Sequence, residues 1–383
     1  MTPELLTLLI RIGLIIFVLL TAFAYLTFAE RRLLAWFTWR VGPNRVGPWG
    51  LLQPLADGVK TVLKQEMIPS HADKFLYFLA PVIALAAAFT MFALIPVGDG
   101  VFISNPSIAV LLFLALSSLG AYGVILAGWA SQSRYPFIAA LRACAQVISY
   151  ELGLGLALLV PVVIVGSLNI GEIGGVYRMP EWHPLYLVVL LPAGVLFLIS
   201  ALAETARVPF DLPECEAELV AGFMTEYSSM KYAMFPMGEY IAMVAMSAVG
   251  VHFFMGGYYL PTVLGIDMTN WLGQLIGNPA AVFGPPHWPW LGDYWQSLSV
   301  SALGLSTVAT FMGKVAVIVF IFMWIRATLP RLRYDQLMRF GWKFMLPVGL
   351  LLVFLASVLV TILPGEADPD GVAILNSQEA SHG

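Results

Sequence analysis

Residues 185–203 read LYLVVLLPAGVLFLISALA, an apolar run without a charged side chain. A helix of about 20 predominantly apolar residues is long enough to cross the hydrocarbon core of a bilayer. A strand of a transmembrane β-barrel would instead alternate apolar and polar residues. This stretch therefore predicts a membrane-spanning α-helix.

Further stretches of the same kind occur along the 383 residues, of which 60% are hydrophobic and only 11% charged. Soluble domains carry roughly 25% charged residues, so the composition excludes a water-soluble protein. We predict an all-α integral membrane protein whose residues 1–363 form a single domain of eight spanning helices. The expected spans are Leu5–Phe28, Lys74–Pro96, Ser107–Ala130, Ala140–Gly166, Leu185–Ala203, Glu239–Leu260, Leu305–Thr328 and Lys343–Leu363.

The Lys and Arg residues predict the orientation, because nearly all of them lie in alternate connections between the spans. Cytoplasmic loops are the ones enriched in Lys and Arg. These connections are therefore expected in the cytoplasm of a bacterium, with the chain in the plasma (inner) membrane and both termini outside. An external loop over residues 261–304, rich in Pro, Gly and Trp, and an acidic external tail over residues 364–383 complete the predicted organisation.

Between the first two spans, residues 50–66 predict an amphipathic helix that is too short and too charged to cross the bilayer. Its apolar stripe consists of Leu51, Leu52, Leu55, Val59, Val62 and Leu63, and its polar stripe of Gln53, Asp57, Lys60 and Lys64. Such a helix lies along the membrane interface. It is either a connector on the surface or one lip of a cavity that opens into the lipid.

The predicted loop over residues 204–239 is acidic although it lies on the side expected to be basic. Its carboxylates are Glu204, Asp211, Glu214, Glu216, Glu218, Glu226 and Glu239. A charge run of this kind is usually a solvated face, but this loop also contains many apolar residues and is expected to pack against something. Carboxylates that are partly desolvated near one another have raised, coupled pKa values and can exchange protons near neutral pH.

Two ionisable residues are expected inside the bilayer, Glu151 in the fourth span and Lys314 in the seventh. Such residues are costly to insert and are functional by default. Together with Glu204 and Glu239 at the ends of the fifth and sixth spans, Glu151 predicts a file of carboxylates from the loop into the membrane. For Lys314, a structural role and a functional one are equally compatible with the sequence.

The chain has too few cysteines for an iron–sulfur cluster, which normally takes four, because only Cys144 and Cys215 are present. Only His252 of the five histidines falls inside a span, so paired haem ligands are not expected, and we interpret it as a packing residue. The sequence contains no P-loop or dinucleotide-binding motif. We therefore expect no cofactor on this chain and no nucleic-acid partner.

Several motifs are similar to those of the H subunit of NADH:quinone oxidoreductase, respiratory complex I, and the resemblance runs through the eighth span. They are Glu30-Arg31-Arg32, RVGPNRVGP at 40–48, QPLADGVK at 53–60, ISYE at 148–151, AETARVPFDLPE at 203–214, EYS at 226–228 and RLRYDQ at 331–336. The resemblance implies the heel of the membrane arm of a proton-pumping NADH dehydrogenase, with five of the eight helices similar to an antiporter half-channel. Ubiquinone and menaquinone are equally compatible as its substrate.

In that family, the first and sixth spans and the amphipathic helix frame a tunnel that admits quinone, and the cytoplasmic loops form the cavity floor. The resemblance implies a quinone pathway at Arg31, Arg40, Asp57, Arg207, Phe210 and Asp211. It implies a proton relay at Glu151, Glu204, Glu214, Glu216, Glu218, Glu226 and Glu239. NADH, FMN and the iron–sulfur clusters would be held by partners, among them the subunit with the terminal cluster, the peripheral quinone-site subunit and small membrane subunits.

One position departs from the family pattern, in which Lys-Glu ends the amphipathic helix, because this chain reads Lys64-Gln65-Glu66. Either Glu66 substitutes for the family carboxylate or that carboxylate is not needed. Three other functions fit the pattern less well. They are the related membrane subunit of an energy-converting hydrogenase or formate hydrogenlyase, a free-standing ion transporter, and a structural anchor.

Overall fold

The computed structural model describes residues 3–98, 102–176, 184–211, 222–259, 262–263, 266–267 and 292–363. Within these residues, eight helices are long and apolar enough to cross a membrane. The predicted all-α class and the eight spans are confirmed. The tail over residues 364–383 and most of the predicted external loop lie outside the described residues.

Eleven α-helices are described. They are α1 Pro3–Phe37, α2 Gln53–Leu63, α3 Lys74–Met91, α4 Ala109–Ala130, α5 Arg134–Val165, α6 Ile170–Val176, α7 Leu187–Glu204, α8 Ser229–Phe254, α9 Gly292–Thr328, α10 Tyr334–Phe340 and α11 Leu346–Ile362. A π-helical turn, Gly341–Met345, joins α10 to α11, so these two helices form one span. Short 3₁₀ turns lie at Pro48–Gly50, Phe92–Leu94, Pro184–Tyr186 and Gly222–Met224. Two dipeptides, β1 Thr262–Val263 and β2 Ile266–Asp267, pair antiparallel.

Several boundaries differ from the prediction. Helix α1 continues to Phe37, and α9 begins at Gly292, inside the predicted loop 261–304. Helix α8 begins at Ser229 rather than at Glu239, so the predicted loop over residues 204–239 is shorter and Glu239 lies on a helix. The reason is that charged residues limit the membrane span of a helix without breaking its backbone hydrogen bonds, which are satisfied internally.

Helices α3, α4, α5, α7, α8 and α11 form the packed part of the bundle. Small residues allow their backbones to approach, as is usual between membrane helices. A Cβ atom added at Gly123 would lie 2.8 Å from the Ala84 side chain, and one added at Gly128 would lie 2.3 Å from that of Ala140. These contacts hold α4 against α3 and α5, and they fix the helices that carry the acidic residues.

Helix α1 stands at the edge of this bundle and contacts α2, α8 and α9. Helix α2 lies beside the end of α1 and the start of α8, within the range predicted for the amphipathic helix. None of its residues is buried, and the stripe that includes Leu55, Val59 and Val62 faces outward. The apolar face of α2 is therefore available to lipid or to a partner.

Candidate functional site

A buried carboxylate, Glu30 on α1, organises the predicted cytoplasmic end of the bundle. Its side chain is 3% exposed. Oε2 accepts hydrogen bonds from Arg207 Nη1 and from the Tyr240 hydroxyl, both at 2.7 Å. Oε1 accepts one from Arg326 at the end of α9. One carboxylate therefore joins α1, α8, α9 and the segment after α7.

Arg207 is held from two sides. Its guanidinium lies 4.0 Å from the centroid of the Tyr240 ring, a cation–π contact, and its backbone N–H donates to the Leu202 carbonyl at 3.1 Å. Burial disfavours the charged form of Arg207, but the neighbouring Glu30 carboxylate outweighs burial, and the pKa of Arg207 lies above its ordinary value. Arg207 is therefore a fixed cation in this cluster.

A polar cavity of about 150 Å³ lies against the Glu30 cluster. Its wall contains Ala206, Arg207, Val208, Asp211, Pro236, Glu239, Tyr240 and Arg326. Asp211 is buried and forms an ion pair with Arg331 at 3.0 Å. The Leu332 N–H also donates to the Pro209 carbonyl at 3.1 Å, so the segment before α10 holds the wall in place.

A second cavity, about 100 Å³ and mostly apolar, lies deeper in the bundle between α3, α4, α5, α7 and α8. Glu204 and Glu239 both line it, and so does Ala206. Glu239 and Ala206 also line the polar cavity. The two cavities therefore meet at Glu239, which has the polar cavity on one side and the mostly apolar cavity on the other.

Glu204 has few polar neighbours in the second cavity. Ser117 contacts its carboxyl group, and Glu151 on α5 is near enough to interact with it electrostatically. Within the part of the chain that the structure describes, the buried Glu204 Oε2 has no hydrogen-bond partner. Glu151 accepts a hydrogen bond from the Ser118 hydroxyl. The structure thus brings together three members of the predicted carboxylate file: Glu151, Glu204 and Glu239.

The other predicted relay residues are separate from this file or undescribed. Glu226 lies beside the aromatic residues Tyr77 and Tyr227, and its backbone carbonyl accepts from the Tyr77 hydroxyl at 2.7 Å. Burial raises the pKa of Tyr227, which keeps that phenol neutral. Glu214, Glu216 and Glu218 lie outside the described residues.

The predicted quinone-pathway residues occupy different environments. Arg31 forms an ion pair with Asp57 on α2 at 2.7 Å, with both side chains well exposed. Arg40 is exposed just beyond α1. Phe210 does not line either cavity but packs against Tyr150, with ring centroids 5.3 Å apart. Arg207 and Asp211 line the polar cavity.

Three residues of the buried cluster are not predicted as site residues from the sequence: Glu30, Tyr240 and Arg326. From the sequence alone, Glu30 is interpreted only as one of the charged residues that end the first span. A usable signal is present, because Glu30 is an acid placed where the cytoplasmic end of a span is otherwise basic. Tyr240 and Arg326 carry no comparable local signal, since their importance depends on the packing of α8 and α9 against α1.

Lys314 lies away from these cavities, and its contacts are those of a residue that stabilises the fold. Its Nζ donates to the backbone carbonyls of Met255 at 2.6 Å, Gly257 at 3.0 Å and Tyr259. These carbonyls follow the carboxyl end of α8, where a cation is favourable. Of the two interpretations of Lys314, this geometry favours the structural one.

In the described residues, no group of three or more His, Cys, Asp and Glu side chains could hold a metal ion. The fold and these cavities define a class: a polytopic helical membrane protein with a fixed buried ion cluster beside a file of carboxylates. A family model described as NADH dehydrogenase matches residues 10–357, and the chain belongs to this family. The resemblance seen in the sequence is thereby confirmed.

Two relatives are both named as the H subunit of NADH-quinone oxidoreductase. The protein of Rickettsia africae (strain ESF-5) is 46% identical over 344 residues, which cover 89% of this chain and 90% of the relative. The protein of Deinococcus radiodurans is 43% identical over 367 residues, which cover 94% of this chain and 84% of the relative. In each comparison, the similarity therefore covers most of this chain and most of the relative.

Proposed function

We propose that this chain is the membrane subunit of a proton-pumping NADH:quinone oxidoreductase that forms the quinone entry tunnel and the floor of the quinone cavity. It would also couple quinone reduction to proton translocation. The single observation that best supports this is the position of Glu239, which lines both the polar cavity and the apolar cavity that contains Glu204. A change of charge in the first cavity can thus act on the carboxylates of the second.

The polar cavity has the chemistry that a quinone site needs on its floor. Its wall contains two arginines, Arg207 and Arg326, and two acids, Asp211 and Glu239, so it is polar without a large net charge. Electrons would come from an iron–sulfur cluster in a partner subunit, with NADH and FMN bound further away. This chain would supply shape, charge and proton carriers.

Reduction of quinone to quinol takes two electrons and two protons. Delivery of the electrons places negative charge in a cavity of low dielectric, where electrostatic interactions are stronger than in water. Asp211 also lines this cavity but is paired with Arg331, so Glu239 is the member of the carboxylate file that experiences this charge first. A proton that leaves or enters Glu239 then changes the field on Glu204 and Glu151 behind it.

Quinone would enter from the lipid beside α2, whose apolar stripe faces outward, and pass between α1, α2 and α8. Arg31 and Asp57 tie α2 to α1 at this point. In the proposed orientation these groups lie at the cytoplasmic side of the bacterial inner membrane, with both termini outside. The other complex I subunits would cover the polar cavity from above.

The test uses the assembled complex in native membranes and a photoreactive quinone analogue. Labelling should appear on peptides that contain residues 206–211 or 236–240, and an excess of unlabelled quinone should reduce it. Quinone-site inhibitors should stop NADH oxidation by quinone but not by ferricyanide, which accepts electrons before the quinone site. Labelling that spares this chain altogether would contradict the proposal.

A further inference from the structure

Lys231 lies at the start of α8 and is 7% exposed. Its Nζ is 2.5 Å from Oε1 of Glu66, which follows the end of α2. The same Nζ lies 3.2 Å from the centroid of the Phe78 ring and 5.1 Å from that of Tyr77, both on α3. One buried ammonium group therefore joins three separate parts of the chain: the segment after α2, α3 and α8.

Other bonds tie the same two segments together. The Met67 N–H donates to the Ser228 hydroxyl oxygen at 2.9 Å. The Ser229 hydroxyl donates to the Thr61 carbonyl, in the last turn of α2, at 3.1 Å. All these contacts connect the carboxyl end of α2 to the amino end of α8. At its other end, α2 is tied to α1 through Asp57 and Arg31.

Helix α2 depends on these ties more than a core helix would. It has no buried residue, so close packing does not fix its position. The tie through Asp57 is exposed, and exposed ion pairs contribute little. The tie through Lys231 differs on one side only, because Glu66 is 41% exposed but the ammonium is buried on two aromatic faces. A buried ammonium becomes costly to keep there once its carboxylate is removed.

We propose that the Glu66–Lys231 pair is a latch that fixes the carboxyl end of α2 on α3 and α8 and so sets the width of the opening between α1, α2 and α8. Lys231 and Glu66 are positioning residues that make no contact with the quinone headgroup. They control the passage of the long isoprenoid tail. This inference rests on the proposed entry of quinone beside α2, and it gives Glu66 a role at the position where the chain departs from the family pattern.

The test compares Glu66→Gln and Lys231→Met in the purified, assembled complex. The matched controls are Lys64→Met, an exposed lysine of the same segment, and Glu172→Gln, an exposed acid on α6. The first readout is hydrogen–deuterium exchange in peptides that cover residues 51–68. We expect at least tenfold faster exchange in both latch variants and no change in the controls.

The second readout is the KM for a quinone with a long isoprenoid tail and for one with a single isoprene unit. We expect the latch variants to raise KM for the long-tail quinone at least threefold, with kcat and the short-tail KM unchanged. Lys231→Arg, which keeps a cation on the rings of Phe78 and Tyr77, should restore both readouts in part. A purely structural role would lower the amount of complex without this difference between tails.

Two results would overturn the proposal in different ways. Unchanged exchange in Glu66→Gln and in Lys231→Met means that the pair does not hold α2, whatever the route of quinone. Faster exchange with an unchanged KM for both quinones means that the pair holds α2 but that quinone does not enter there. The second result rejects the proposed entry route and keeps the latch as a structural contact. If Lys231→Met does not assemble, Glu66→Gln still breaks the pair, and Lys231→Arg is its conservative control.

Discussion

Glu30 and Glu204 are both carboxylates at one end of the helical bundle, and they lie in opposite kinds of environment. Glu30 receives hydrogen bonds from Arg207, Arg326 and Tyr240. Glu204 has Ser117 and a second carboxylate, Glu151, as neighbours, and within the described residues its Oε2 has no hydrogen-bond partner. One acid is surrounded by cations, and the other lies in a nonpolar cavity.

This difference separates a structural acid from an acid that can carry a proton. A buried carboxylate between two arginines stays charged, since a proton would leave the buried Arg207 and the partly exposed Arg326 without their anion. A buried carboxylate without a cation is costly when charged, especially beside another one, so a proton reduces that cost. Glu30 therefore belongs to the framework of the site, and we propose Glu204 for proton movement.

The largest effect is expected from Glu30→Ala. It leaves the buried Arg207 and the partly exposed Arg326 without their anion, and removal of one partner of a buried ion pair such as Glu30–Arg207 costs about 3–5 kcal/mol. The assembled complex should be strongly depleted in membranes, as measured on native gels. Glu172→Ala, which changes an exposed acid on α6, is the control and should assemble normally. Normal assembly of the Glu30 variant would show that this cluster does not hold the helices together.

Tyr240→Phe tests the same cluster with a smaller change. It removes the hydroxyl that donates to Glu30 but keeps the ring that packs on Arg207. A hydrogen bond to a charged group contributes about 1.5–3 kcal/mol. We expect the complex to assemble and to dissociate at a lower denaturant concentration than the wild type. An unchanged midpoint would mean that the two arginines alone fix Glu30.

The smallest effect is expected from Asp57→Asn, which breaks an ion pair with Arg31 whose side chains are both well exposed. Exposed pairs contribute about 0.2–1 kcal/mol, so stability should hardly change in the same denaturant series. Any functional effect should appear in the KM for quinone. A loss of stability as large as that of Tyr240→Phe would remove the distinction between the buried cluster and the exposed pair.

The sequence is sufficient to predict the eight spans, because the apolar runs are long and the charges between them are few. It also marks Glu151, Glu204 and Glu239 as candidates, since acids in or beside a span are costly, but their proximity depends on how α5, α7 and α8 pack. It is not sufficient for the role of Glu30, because an acid at the basic end of a span shows only that the position is unusual. Its importance arises from Arg207 and Arg326, which are distant in sequence and meet only when α1, α8 and α9 pack.

The start of α8 could not be predicted from the sequence for the same reason. Lys231 and Glu239 interrupt the apolar run, so hydropathy predicts a late start for the sixth span and a long acidic loop. In the structure Lys231 is accommodated by Glu66, Phe78 and Tyr77, so the helix can begin at Ser229. A charge whose partners come from other helices cannot be assigned from local hydropathy.

The most direct test of the central claim is proton translocation by the complex with Glu204→Gln, reconstituted in sealed vesicles. Glutamine keeps the size of the side chain and removes its ability to exchange a proton, while assembly and NADH oxidation by ferricyanide should remain normal. We predict that proton translocation per NADH oxidised with quinone falls at least severalfold. Translocation at the wild-type ratio would contradict the role of Glu204 and with it the coupling function proposed for this chain.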